Sequence, residues 1–151
     1  MSETMTIDEF IGEFEHNIDK KGRIIIPAKF REAYNGRLIV AKGLDGCLTL
    51  YTIAQWHQLM EQLKNLPNTK RETRLFKRQL SAKASECEID AQGRILIPAS
   101  LIKEAALEKE CCIIGNVNTV EIWSKQKWTA YNDEHADDFE EVAEALTEFL
   151  S

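Results

Sequence analysis

The chain has little of what most catalytic, exported or metal-binding proteins need. Its four cysteines, Cys47, Cys87, Cys111 and Cys112, form no C-x-x-C pair, and the last two are neighbours. That spacing excludes a zinc site and a disulfide framework, and the thiols read as reduced, small apolar residues of a cytosolic protein. No apolar run approaches the roughly 18 residues of a membrane helix. The opening Met-Ser-Glu-Thr-Met-Thr has neither the basic nor the apolar region of a secretory signal. There is no glycine-rich phosphate loop, and His16 and His57 have no evident nucleophile to serve. Glu86, Glu88 and Asp90 alternate along one strand face, where a solvated face explains them better than an acid cluster. No enzyme, cofactor or metal is therefore expected.

Basic residues are missing from both ends. Residues 1–15 hold five acids and residues 132–151 hold eight, with no Lys or Arg in either stretch. The formal net charge of −6 argues against a polyanionic partner, but all 19 basic residues lie in 16–131, against 12 acids. The body is basic and only the ends are acidic, so the total conceals a core able to bind a polyanion.

One stretch occurs twice. Residues 18–28 read Ile-Asp-Lys-Lys-Gly-Arg-Ile-Ile-Ile-Pro-Ala, and residues 89–99 read Ile-Asp-Ala-Gln-Gly-Arg-Ile-Leu-Ile-Pro-Ala. They differ only at Lys20 and Ala91, Lys21 and Gln92, and Ile25 and Leu96. An internal repeat of this quality sets the architecture. In each copy a strand with period-two alternation (14–18 in the first) leads into a turn. There Asp19 or Asp90 can cap the backbone, and Gly22 or Gly93 can take positive φ. The Ile-rich run that follows predicts a strand covered on both faces. Pro27 and Pro98 end it and open short helices over 28–35 and 99–107, the first closed by Gly36. Two more strands complete each unit, at 37–41 and 47–51, then 111–115 and 119–123. Tyr51 and Trp56 correspond to Trp123 and Trp128 with the offset grown from 71 to 72.

Between the units, 53–66 has helical period with Trp56, Leu59, Leu63 and Leu66 on one face, and 70–84 predicts a second helix. The organisation expected is an N-terminal extension over 1–12, units at 13–56 and 84–128, a helical linker at 57–83, and an acidic helix at 129–151. A unit of about 45 residues is too small to bury a good core alone. The economical solution is an internal pseudo-dimer of α+β, mainly β, class, with the Ile runs at its seam. The tail carries an apolar stripe of Phe139, Val142, Leu146 and Phe149, expected to pack on its own domain; the alternative is a docking surface for a neighbouring subunit.

Arg23 and Arg94 follow the glycines of equivalent turns. Pairing with Asp19 and Asp90 would staple each hairpin. The guanidinium, permanently charged and bidentate, also suits phosphates and guanine edges, and a paired arginine is an oriented one. Lys20 and Lys21 add charge to the first turn alone, which favours it as the principal contact. A second basic stretch, 64–83, holds seven Lys and Arg against Glu72. It reads as a solvated helix face, a phosphate-contacting face or a subunit contact.

The two Asp-x-x-Gly-Arg turns are accompanied by Gly-Leu-Asp-Gly-Cys-Leu at 43–48, Ser-Glu-Cys-Glu at 85–88 and Glu-Ile-Trp-Ser at 121–124. Together they closely resemble the bacterial MraZ family over about residues 10–131. Family members usually begin near the equivalent of Phe10, so 1–9 reads as an added arm. The resemblance implies two SpoVT-AbrB-type domains of swapped-hairpin form. It implies a cytoplasmic, nucleoid-associated regulator of the division and cell-wall gene cluster, a repressor in the reading favoured here. Its partners would be double-stranded DNA bearing promoter direct repeats and further copies of itself in a homo-oligomeric ring. The family's Asp-x-x-x-Arg signature, linked to DNA binding, falls on Asp19 with Arg23 and on Asp90 with Arg94. A competing reading is an antitoxin or scaffold module whose acidic tail engages a protein.

Overall fold

The computed structural model describes residues 9–150; the rest of the expected N-terminal arm lies outside them. The first unit comprises β1 (Glu13–Asn17), β2 (Arg23–Ile25), α1 (Ala28–Tyr34), β3 (Arg37–Lys42) and β4 (Leu48–Tyr51). Helices α2 (Ile53–Lys64) and α3 (Arg71–Ser81) lead to the second unit, β5 (Ser85–Glu88), β6 (Arg94–Leu96), α4 (Ala99–Glu104), β7 (Glu110–Asn116) and β8 (Thr119–Ser124). Helices α5 (Lys125–Glu134) and α6 (Phe139–Ala145) close the chain.

The units are interleaved. Six strands form one antiparallel sheet in the order β1-β7-β8-β4-β3-β5, and β2 and β6 form a separate antiparallel ribbon. β1 pairs with β7 of the second unit, and β5 pairs with β3 of the first. Each unit's leading strand thus completes the other's part of the sheet, which answers the problem that neither unit can bury its own core. Thr49 faces Glu121 where β4 meets β8, and Ile24 faces Ile95 in the ribbon. Both are pairs of equivalent positions, so a pseudo-two-fold axis runs through them.

The principal core lies between ribbon and sheet, where Ile24, Ile26, Ile95 and Ile97 meet Leu38, Leu50 and Ile113. The Ile run is not covered on both faces as expected. Ile24 and Ile95 are each 1% exposed, but Ile25 is 37% and Leu96 57% exposed. Successive strand side chains point to opposite faces, so Ile25 and Leu96 lie on the outer face, which stays partly open to solvent with β5 alongside the β6 edge.

Local chemistry explains the helices. Pro27 and Pro98 precede α1 and α4, where a missing N–H costs nothing. Asn35 takes the left-handed conformation (φ 52°) at the end of α1, one residue before Gly36. Tyr34 Oη donates to Leu50 O at 2.9 Å, tying α1 to β4. Thr52 and Gln55 form a reciprocal capping box at the start of α2. Leu63 of α2 and Leu80 of α3 cover Ala41, with Trp56 and Leu59 beside them, while Leu66 stays exposed.

Two segments differ from expectation. Phe10 to Gly12, placed in the extension, are tied to the body. Phe10 and Val117 exchange both backbone hydrogen bonds (2.7 and 3.0 Å), and Gly115 N donates to Gly12 O at 2.8 Å. The Phe10 ring is buried, stacked on Tyr34 and edge-on to Phe30. The acidic tail is not one helix packed on its own domain. α5 ends at Glu134 and α6 begins at Phe139, with no residue of α6 buried; Phe139 is 83% exposed and Phe149, in the turn after α6, 74%.

Candidate nucleic-acid interface

Each repeated turn is built by one aspartate. Asp19 Oδ1 accepts from the backbone N–H of Lys21 and of Arg23, both at 2.9 Å, and its Oδ2 accepts from Arg23 Nε at 2.7 Å. Asp19 N donates to Arg23 O, and Gly22 N to Asp19 O. The second turn repeats the pattern: Asp90 Oδ1 accepts from Gln92 and Arg94 N–H, and Oδ2 from Arg94 Nε, all at 2.9 Å. Three donors converge on one carboxylate, which holds it charged. The backbone N–H of Arg23 does most to lower the Asp19 pKa, and that of Arg94 does most for Asp90; partial desolvation opposes this, and the guanidinium side-chain bond adds to it.

Gly22 and Gly93 adopt φ of +92° and +83°, which L side chains rarely take. The first turn also locks onto the other unit: Ile97 N donates to Gly22 O at 2.8 Å, and Ile26 N to Gly93 O at 2.8 Å. The two turns therefore sit at opposite ends of the β2/β6 ribbon. In that ribbon Arg23 faces Leu96 and Ile25 faces Arg94. Arg23, Ile25, Arg94 and Leu96 share the outer face, and the arginines lie on its diagonal, about 7–8 Å apart at the backbone. Both guanidinium groups spend Nε on their aspartates, and neither Nη edge has a hydrogen-bond partner among the described residues. A row of oriented but unsatisfied donors flanked by exposed Lys20 and Lys21 is suited to an extended anion with acceptors of its own.

Arg31 was not singled out from the sequence. Its Nε donates to Ile26 O at 2.8 Å, and its guanidinium packs so tightly on Gly93 that a methyl group there would overlap it. The equivalent position in the second unit is Ile102, whose Cδ1 backs Gly22. The first turn thus carries two lysines and an apolar backing, and the second carries Ala91 and Gln92 with a cation behind it. Comparing residues 31 and 102 at the repeat offset would have shown this charge exchange.

Several of the other candidates have local partners. Arg74 Nη1 donates to Asn68 O and Thr69 O, and Lys77 Nζ to Asn68 Oδ1, closing the loop before α3. Lys83 joins Lys42 on Glu104. Glu86 pairs with Arg37 at 2.8 Å and Glu88 is exposed, as a solvated strand face requires. Among the described residues no three His, Cys, Asp or Glu side chains converge as a metal site would need. Burial pushes the Cys47 thiol up to about 12 and that of Cys111 to about 11, which makes them packing groups rather than nucleophiles. No described helix is long and apolar enough to cross a membrane.

The family model described as "MraZ protein, putative antitoxin-like" matches twice, over residues 10–79 and 80–150. The chain is 53% identical over 136 residues to "Transcriptional regulator MraZ" of Limosilactobacillus reuteri, covering 90% of this chain and 96% of that protein. It is 49% identical over 140 residues to the protein of the same name from Heliobacterium modesticaldum, covering 93% and 98%. The Desulforamulus reducens protein of that name is 48% identical over 141 residues, covering 93% and 99%. With both halves matched and near-complete relatives at about half identity, the chain belongs to the MraZ family.

Proposed function

We propose that the protein is a sequence-specific, double-stranded-DNA-binding transcriptional regulator that represses the division and cell-wall gene cluster. It binds tandem promoter repeats through the turn arginines of a ring oligomer. The observation that carries this reading is the pair of aspartate-held arginines, Arg23 and Arg94, presented with free Nη edges on one narrow ribbon. The names of the relatives support the regulatory role, and the exchange of β1 and β5 between units supports a swapped-hairpin, SpoVT-AbrB-type fold.

A single ribbon offers few contacts, and a chain of net charge −6 gains little from non-specific attraction. Several ribbons engaging successive repeats would raise affinity by roughly 10²–10⁴ through effective concentration alone. The uncovered α6 stripe supplies a surface for that assembly: its apolar face can meet a neighbouring subunit, and its acids can meet the basic α3. The test is the mass in solution with and without a duplex carrying tandem promoter repeats. A discrete oligomer that takes up repeat DNA supports the proposal; a monomer that ignores it refutes the ring.

The same exposed stripe favours a second reading, an antitoxin-type module with a protein partner. Co-purification with a toxin and absence of any DNA protection would favour that reading over the first.

A further inference from the structure

The outer face of the ribbon carries two exposed aliphatic side chains where a solvent-facing strand position ordinarily carries a polar one. Ile25 is 37% exposed and Leu96 57%, whereas their neighbours Ile24, Ile26, Ile95 and Ile97 are all within 2% of complete burial. The two occupy equivalent positions of the repeat. Where the turns change class, from Lys20 to Ala91 and from Lys21 to Gln92, this position changes only in branching, from Ile to Leu. Each aliphatic group lies directly across the ribbon from an arginine: Leu96 from Arg23, and Ile25 from Arg94. Leu96 Cδ1 also lies beside the Gly22 turn, at the end where Lys20 and Lys21 project.

We infer that Ile25 and Leu96 are specificity-determining residues that make apolar contact with thymine methyl groups in the DNA major groove; the inference rests on the DNA-binding reading above. The dimensions agree. A two-stranded ribbon, with strands about 4.8 Å apart, enters a major groove about 12 Å wide. The diagonal of about 7–8 Å between the arginines spans about two base steps of 3.4 Å. The chemistry leaves one partner class. The base edges of that groove offer hydrogen-bond acceptors, guanine O6 and N7 above all, to the donors of Arg23 and Arg94, and the thymine 5-methyl is its one apolar group. An aliphatic side chain pressed there against a cytosine amino group or a guanine carbonyl would desolvate it without return. The arrangement therefore favours sites in which a thymine adjoins each arginine-contacted base and disfavours RNA, which lacks that methyl group.

The experiment uses duplexes that the full-length protein selects from a random pool. In the selected sequence each thymine is replaced singly by deoxyuridine, which removes the methyl and nothing else, and affinity is measured by fluorescence anisotropy. At one or more positions uracil should weaken wild-type binding roughly fourfold, the effect of one buried CH₂ equivalent. Ile25→Ala and Leu96→Ala should each lose affinity for the thymine duplex and become indifferent to uracil at one of those positions, with melting temperature and subunit number unchanged. The inference is overturned if every uracil duplex binds like its parent, if the variants keep the full uracil penalty, or if they lose affinity only by changing the oligomer. Arg23→Ala on the parent duplex separates the two levels. If no duplex is selected, or if this variant binds like wild type, the reading of the ribbon arginines as DNA contacts fails; if it loses binding while uracil is neutral, only the methyl contact fails.

Discussion

Arg23 is held by Asp19 at two points, Nε on Oδ2 at 2.7 Å and its own backbone N–H on Oδ1 at 2.9 Å. The aspartate thus sets the turn and the direction of the guanidinium together. Removing it should weaken specific DNA binding even though the protein becomes less acidic. For Asp19→Ala we expect a loss of up to about tenfold, the order of the side-chain ordering no longer provided before binding. Tighter binding by this variant, measured by anisotropy at fixed salt, would show that bulk charge outweighs orientation.

The same carboxylates make the turns acid-sensitive. Asp19 and Asp90 have pKa values lowered below 3.8, so their contribution is complete above that value and is lost as pH falls through the depressed pKa. Glu104 behaves likewise for the body. Side-chain bonds from Lys83 and Lys42 lower its pKa to about 2, linking α4 of the second unit to β3 of the first. Glu104→Gln should melt below wild type from neutral pH down to about 4.5, and the difference should close as pH approaches 2. A difference independent of pH would contradict the ionic origin.

Neighbouring isoleucines should respond oppositely to truncation. Ile24 sits on the pseudo-two-fold axis and is 1% exposed, so Ile24→Ala should cost about 2–5 kcal/mol in a denaturant titration. Ile25→Ala, on the open face, should change stability by less than about 0.5 kcal/mol. Equal costs would mean that the outer face of the ribbon is covered.

The tail prediction concerns assembly. Phe139 at the start of α6 and Phe149 in the short 3-10 turn after it face solvent, and neither segment has a buried residue. Replacing both by Glu should reduce the particle mass in analytical ultracentrifugation while leaving the subunit's circular dichroism unchanged. An undiminished particle would place the subunit contact elsewhere.

What could be read from the sequence was local chemistry. Asp19 to Arg23 specify their turn through short-range hydrogen bonds, and Pro27 and Pro98 mark helix starts by the backbone donor they lack; the Thr52 cap and the left-handed Asn35 emerge only in the structure. The need for a partner unit followed from size. The pairing of β1 with β7 did not, because no local pattern records which strand lies beside which. An uninterrupted run such as 24–26 has no alternation, so the outward turn of Ile25 was hidden in it. Periodicity showed the apolar face of the tail but not what covers it, and no Pro or Gly marks the break between His135 and Phe139. One buried ring in an acidic flank gives no period, so the place of Phe10 in the body is not legible in the sequence. Arg31 acts through a contact with the other unit's turn, visible only by comparing residues at the repeat offset.

The central claim is that the ribbon arginines read DNA, and titrating the Arg23→Ala, Arg94→Ala double variant against a selected duplex tests it most directly. The account predicts at least a hundredfold loss of specific affinity, a shallower dependence of affinity on salt, and an unchanged melting temperature. Wild-type affinity and salt dependence in the folded double variant would contradict it.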